Sequence, residues 1–254
     1  MSTVKQIVYN YFFGNEQIDK NKKTRDNWVI SKLQTFTKDK SILDAGAGEQ
    51  KYKEYCAHLK YISQDFCQYD GKGNNIGLQT GEWDIAKIDI VSDITSIPSE
   101  DESFDYIMCT EVFEHISEPI KAIEEFARIL KPGGELLLTA PFGSLTHFAP
   151  YHYYSGFNRY FYEELLPKYG LIVEEVVPNG NYFDFILQEM NRLPYMSTQY
   201  VGERLSLLEK ICIGIINKRL SKFTSKALSS SEVACFGFHV LAKKSKGASN
   251  DSPI

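Results

Sequence analysis

Residues 41–48 read Ser41-Ile42-Leu43-Asp44-Ala45-Gly46-Ala47-Gly48, and the fold turns on how this stretch is read. Residues 41–45 form a short apolar run of strand length that breaks directly into two glycines. Glycine permits a tight turn and the close approach of a ligand to the backbone. A helix over residues 50–59 is expected next. An ordinary strand–helix turn would use the same residues, so the remainder of the chain decides between a ligand loop and a plain connection.

Working outward, strands are expected over residues 60–63, 86–91, 104–109, 135–140, 171–177 and 232–243. Residues 135–140 are almost wholly apolar through Leu136-Leu137-Leu138, which suits a parallel strand covered on both faces. Helical spacing is found over residues 27–36, 182–191 and 201–220. Another helix is expected to be capped by Ser117, with Pro119 in its first turn. Ile120, Ile123, Ala127 and Leu130 would line its inner face, and Pro132-Gly133-Gly134 would stop it. Residues 15–23 and 70–82 read as polar loops. The alternation predicts an α/β fold with a mostly parallel sheet and helices on both faces. It also predicts one domain over residues 1–243. That domain carries a helical N-terminal extension (1–40, with a short helix over 2–14), a helical insertion (178–231) before the last strand, and a polar, disordered tail (244–254).

In such sheets the ligand sits outside the carboxyl ends of the strands, where the polar residues of this chain gather. The dinucleotide fingerprint needs a third glycine where this sequence has Lys51. Asp44 would repel a pyrophosphate but attract a cationic group such as the ammonium of methionine. The loop therefore favours S-adenosylmethionine over a nicotinamide dinucleotide. Asp65, near the end of the second strand, can accept ribose hydroxyls, with Asp70 the competing carboxylate. Asp93 and Ile94 can take an adenine ring, or Asp93 can cap a turn.

Composition narrows the field. The net charge is −5, from 28 basic against 33 acidic side chains, and a nucleic-acid binder needs a concentrated basic face. Cys56, Cys67, Cys109, Cys212 and Cys235 form no CxxC pair and are odd in number. Reduced thiols in the cytoplasm are the simplest account. Residues 1–10 lack the apolar core of a signal peptide, and the apolar stretch at 211–216 is too short to span a bilayer, so no stable membrane insertion is expected. The amphipathic stretch 204–220 reads as a packing helix or a homodimer contact.

Five motifs in order now carry a resemblance: residues 43–48, Ser92-Asp93-Ile94-Thr95-Ser96-Ile97-Pro98, Ser103-Phe104-Asp105-Tyr106-Ile107, Glu111-Val112-Phe113-Glu114-His115-Ile116 and Leu130-Lys131-Pro132-Gly133-Gly134. Over residues 41–177 the chain resembles the class I S-adenosylmethionine-dependent methyltransferases. The resemblance implies a Rossmann-like seven-stranded sheet with the cofactor over its first strands. It implies Asp44, Ala45, Gly46, Gly48 and Glu111 around the methionine end, Asp65 at the ribose, and Asp93 with Ile94 at the adenine. Glu49-Gln50-Lys51 departs from the smaller residues that relatives carry there.

The acceptor side is expected from His115 and from the aromatic stretch 141–162. Histidine can take a proton from a hydroxyl at neutral pH, so His115 and His147 are the catalytic candidates. Phe142, His147, Tyr151, His152, Tyr153 and Arg159 are the candidates for holding a small-molecule acceptor, with Arg159 suited to an anion. The stretch resembles that of methyltransferases from surface-polysaccharide (capsule) pathways, which suggests O-methylation of a sugar, a nucleotide-linked sugar or a phosphorylated precursor. The rivals are N- or C-methylation of an aromatic or lipid-like molecule, and an inactive binding module. Arg25 and Trp28 are candidates for a lid. No histidine–carboxylate spacing in the sequence suggests a metal site.

Overall fold

The computed structural model describes residues 20–84 and 87–246. Seven strands are present: β1 (Ser41–Ala45), β2 (Lys60–Asp65), β3 (Ile90–Val91), β4 (Phe104–Thr110), β5 (Leu130–Pro141), β6 (Leu171–Asn179) and β7 (Gly237–Lys244). They form one sheet in the order β3-β2-β1-β4-β5-β7-β6. β1 lies parallel between β2 and β4, β5 is parallel to β4, and β7 runs antiparallel to β5. This is the expected Rossmann-like, mostly parallel sheet. The register sets Ala45 opposite Gln64 and Asp44 opposite Met108, so β1, β2 and β4 end along one edge. Ile42, Leu43, Ile107 and Leu136–Leu138 are fully buried, as central parallel strands require.

The chain divides into two compact units. One comprises residues 27–177 with 237–254, and the other residues 1–26 with 178–236. In the first, Val29, Leu33, Phe36, Ile42, Tyr52, Cys56, Leu59, Met108 and Leu137 build one apolar core. In the second, two helices pack on each other. The segment 178–231, expected as an insertion within one domain, supplies most of this second unit.

Among the described residues five α-helices accompany the strands: α1 (Lys20–Leu33), α2 (Pro119–Ile129), α3 (Arg159–Leu165), α4 (Tyr182–Met196) and α5 (Leu207–Thr224). Several differ from the sequence reading. α1 includes residues 20–23, part of the stretch read as a loop, where lysines are good helix formers. α2 starts after Glu118, which makes no side-chain cap, and not at Ser117. Its inner face is Ala122, Ile123, Phe126 and Ile129, while Ile120 is 43% exposed. The chain turns extended at Leu130. Pro132-Gly133-Gly134 then lies within β5, where the pairing slips between Phe104↔Leu130 and Tyr106↔Glu135.

The helix expected over 50–59 is only a 3-10 turn, Lys53–Cys56. Gln50 has a positive φ of 56°, which an α-helix does not tolerate. β3 keeps only the end of its expected span. Asp89 there turns its carboxylate onto the Ser63 N–H (2.8 Å) and hydroxyl (2.7 Å), while residues 85–86 lie outside the described residues. α4 runs on to Met196, and α5 begins at Leu207 rather than 201. Gly202 is left-handed, and Ser206 closes a capping box with Glu209. α4 is capped by Asn181 and Asp184 in the same way, and Lys20 pairs with Asp184 at 2.6 Å. β7 includes Lys244, which was expected in the tail. The helix expected over residues 2–14 and the tail after Lys246 lie outside the described residues. All five cysteines are free thiols, and among the described residues no helix is long and apolar enough to cross a membrane.

Candidate functional site

The turn after β1 is held by the end of β2. The N–H groups of Gly46 and Ala47 donate to the Gln64 carbonyl at 2.9 and 2.8 Å. Gly48 N–H donates to Asp65 Oδ2 at 2.9 Å, and Cys67 N–H to Asp65 Oδ1 at the same distance. Both Asp65 oxygens thus tie the loop, and each keeps a further lone pair for a ligand hydroxyl. Gly46 and Gly48 have φ of 73° and 49°. A Cβ on Gly46 would come within 2.5 Å of Val112 Cγ2, and one on Gly48 within 2.7 Å of Trp83 Cζ2. Both the conformation and the space therefore demand glycine.

Asp44 is buried beneath this turn. Tyr61 donates its hydroxyl to Asp44 Oδ2 at 2.6 Å. Burial pushes the Asp44 carboxyl up to about 7, and the Tyr61 hydrogen bond opposes that rise. Glu111 follows β4 with a positive φ of 55°. Its N–H donates to the Thr139 carbonyl at 2.8 Å, and the Thr139 hydroxyl donates to its Oε1 at 3.0 Å. Through the neighbouring Val112, Glu111 is placed beside Gly46.

The other cofactor candidates separate. Asp70 accepts from the N–H groups of Lys72 and Gly73 at 2.9 and 2.8 Å, within a turn of its own. Asp93 is exposed and caps the turn through the Thr95 N–H (2.8 Å) and hydroxyl (2.7 Å), while Ile94 beside it is buried.

Residues 66–84 form one wall with the aromatic stretch after β5. Leu78 N–H donates to the Thr146 carbonyl, Phe148 N–H to the Leu78 carbonyl and Asn74 N–H to the Ala149 carbonyl, each at 3.0 Å. The Tyr69 ring stacks on Phe148 at 4.5 Å, and Trp83 meets Phe148 edge-on at 5.3 Å. Tyr61, Gln64, Tyr69, Trp83 and Phe148 were not singled out from sequence. The one signal was a tryptophan inside a stretch otherwise rich in Gly, Asn and Gln.

His115 closes the 3-10 turn Phe113–His115 after β4. Its ring stacks on Phe148 at 5.0 Å, with His147 at 4.6 Å and His152 at 5.7 Å. Its Nδ1–H donates to the Tyr151 carbonyl, and the His147 Nδ1–H donates to the Leu145 carbonyl at 2.9 Å. Both Nε2 atoms therefore carry lone pairs when the rings are neutral. The buried Glu114 carboxylate lies 3.7 Å from His115 Nε2 and 3.8 Å from His147 Nε2. Burial, with His147 alongside, pushes the His115 pKa down to about 3. Burial lowers that of His152 as well.

The remaining acceptor candidates spread out. Tyr151 presents its carbonyl to His115 and its ring to Phe66 at 5.0 Å. Tyr153 is anchored by its N–H on the Glu114 carbonyl at 2.8 Å, with its side chain exposed. Phe142 packs on Phe238 at 6.4 Å. Arg159 opens α3 and pairs with Glu163 at 2.9 Å, so its charge is already met. Trp28 donates to Glu175 at 3.2 Å and stacks on His239 at 5.0 Å, which makes it a packing residue.

Residues 43–138 match the methyltransferase domain family, a span running from β1 to β5. The "Probable tRNA methyltransferase 9B" of Homo sapiens is 32% identical over 101 residues, 38% of this chain and 20% of that protein. The demethylmenaquinone methyltransferase of Renibacterium salmoninarum is 32% identical over 101 residues, 38% of this chain and 39% of that protein. The chain thus spans well under half the length of these curated relatives. Among solved structures, the (4+2)-cyclase SpnF superposes with a TM-score of 0.53 at 17% identity, covering 88% of this chain and 81% of that one. At that identity the likeness concerns the fold.

Proposed function

We propose that this chain, whose residues 43–138 match the methyltransferase domain family, is a class I S-adenosylmethionine-dependent methyltransferase and methylates an oxygen of a small polar acceptor. S-adenosylmethionine is its cofactor. It supplies a methyl group already activated on a sulfonium. Asp44, Gly46 and Gly48 would hold the methionine end, with Ala45 beneath and Glu111 beside it. Asp65 would take the ribose, and Ile94 with Asp93 the adenine. The buried carboxylate below two left-handed glycines is the observation that carries this reading. It offers an anion and a side-chain-free approach at the same point.

Methyl transfer forms an O–CH3 bond as the S–CH3 bond breaks, and the acceptor hydroxyl must lose its proton. The chain's part is to align the acceptor, exclude water and assist that loss. His115 and His147 are the activating residues in this reading. Neutral imidazoles with inward lone pairs suit a hydroxyl, and the wall of Tyr69, Trp83 and Phe148 would shield it. His115 stacks on Phe148, which meets Trp83, which lies on Gly48, so the cluster borders the cofactor loop.

Methylation of an aromatic ring carbon is the second reading, favoured by the same aromatic wall and by the demethylmenaquinone relative. The net charge of −5 weighs against a tRNA acceptor. A glycan precursor rests on the stretch 141–162 alone. The test is transfer of labelled methyl from S-adenosylmethionine to a panel of sugars, nucleotide-linked sugars and quinols. Labelled methyl ethers support the first reading, ring-carbon products the second, and no transfer to any of them counts against both.

A further inference from the structure

His115, His147 and His152 are 32 and 5 residues apart along the chain, yet each offers a ligand nitrogen within 4.8 Å of the others. Three features of this group go beyond aromatic packing. First, the Nδ1–H of His115 and of His147 is spent on a backbone carbonyl, which fixes ring orientation and leaves Nε2 as the donor atom. Metal-binding histidines are oriented by the same device. Second, His115 Nε2 and His152 Nδ1 are buried with no hydrogen-bond partner among the described residues, a costly state for polar atoms unless something ligates them. Third, the Glu114 carboxylate, 1% exposed, stands within 4 Å of two of the imidazoles and supplies negative charge.

We propose that His115, His147 and His152, with Glu114 as a carboxylate ligand or neighbour, bind one divalent transition-metal ion of the zinc class on the acceptor side of the glycine loop. The donor set decides the metal. Three imidazoles and one carboxylate suit zinc, cobalt or nickel, whereas magnesium and calcium prefer all-oxygen sites. Nitrogens bound at about 2.0–2.1 Å around a tetrahedral ion lie roughly 3.4 Å apart. Binding would draw the three nitrogens together from their present spacing of up to 4.8 Å. His147 and His152 lie on the stretch after β5 and His115 on the turn after β4, so the ion would also pin that stretch over the site.

The chemical role rests on the function proposed above. An ion there would bind an acceptor oxygen and lower the pKa of its proton, and the imidazoles would act as ligands. Its existence does not depend on that function, and the test keeps the two apart.

The experiment uses the full chain, stripped with a chelator and dialysed, then titrated with Co(II) under visible absorption and with Zn(II) by calorimetry. One ion per chain is expected, with cobalt d–d bands that zinc abolishes. His147→Ala and His152→Ala should each weaken zinc binding by about tenfold or more, with circular dichroism unchanged. Magnesium alone should give no heat. Failure of zinc and cobalt to bind, or wild-type zinc affinity in both variants, which would place the ion elsewhere, overturns the proposal. A parallel titration of the stripped protein with S-adenosylhomocysteine reports on the cofactor loop. Binding there without zinc binding sinks the metal site and leaves the methyltransferase reading standing.

Discussion

Trp83 lies on Gly48 so closely that a Cβ on the glycine would reach within 2.7 Å of the indole Cζ2. The indole therefore roofs the turn that the cofactor must approach, and it is edged in turn by Tyr69 and Phe148. Trp28, the other tryptophan, is engaged with Glu175 and His239. Binding of S-adenosylhomocysteine should then change the protein's tryptophan fluorescence, and Trp83→Phe should remove most of that change. Gly48→Ala should weaken cofactor binding by an order of magnitude or more. The added methyl meets the indole, and the left-handed backbone costs about 1–2 kcal/mol with a Cβ present.

Asp44 titrates near neutrality rather than near its ordinary value of 3.8. Below about pH 7 its carboxyl is largely neutral, and above it the anion that would meet the methionine ammonium dominates. Affinity for S-adenosylhomocysteine should rise from pH 6 to 8 and then level off, and Asp44→Asn should be weak and flat across that range. Calorimetry at several pH values checks this.

The same group has a stability consequence of opposite sense. Because its pKa is raised on folding, the native state holds a proton that the unfolded chain gives up. Ligand-free stability should therefore fall as pH rises from about 4 to 7. In Asp44→Asn this decline should be smaller. Urea denaturation at pH 5 and pH 7 measures it.

Arg128 and Glu125 form a fork on α2. Glu125 receives Arg128 Nε at 2.8 Å and Nη2 at 2.7 Å, and it accepts the Ile97 N–H at 2.6 Å. This anchors the segment that carries Asp93 and Ile94. Glu125→Ala leaves the buried Ile97 N–H without its acceptor and Arg128 with only Asp101 and the Ser99 and Ile97 carbonyls, which should cost about 1–3 kcal/mol in denaturant unfolding. Glu124→Ala, at an exposed neighbour, should cost little.

His147→Ala should impair methyl transfer while leaving S-adenosylhomocysteine affinity within about twofold, because in the proposed reading the imidazole serves the acceptor and reaches the glycine turn only through Phe148 and Trp83. Comparing turnover with calorimetric affinity separates the two effects. Equal loss of both would place His147 in the cofactor site.

The strands and the glycine turn were legible in the sequence because apolar runs ending in Gly46 and Gly48 leave little choice. Helix ends were less so. Gln50 takes a positive φ and aborts a helix that its neighbours permit, and Pro132-Gly133-Gly134 sits in a slipped strand although it reads as a stop. Asp44 and Asp65 were legible as carboxylates at the ends of β1 and β2. Asp93 was left between two roles, and it caps a turn through Thr95 while standing beside the buried Ile94. What the sequence could not show was tertiary. Tyr61 reaches Asp44 from a neighbouring strand, Trp83 reaches Gly48 from a polar loop, and His115 meets His147 and His152 across a span with no metal-like spacing.

The account's central claim is that residues 44–48 form an S-adenosylmethionine site. It is tested most directly by isothermal titration of the wild-type chain and Asp44→Ala with S-adenosylhomocysteine, with NAD as a parallel titrant. The expected result is one S-adenosylhomocysteine bound per wild-type chain, at least tenfold weaker binding to Asp44→Ala, and no binding of NAD. Unchanged affinity in Asp44→Ala, or binding of NAD in place of S-adenosylhomocysteine, would contradict it.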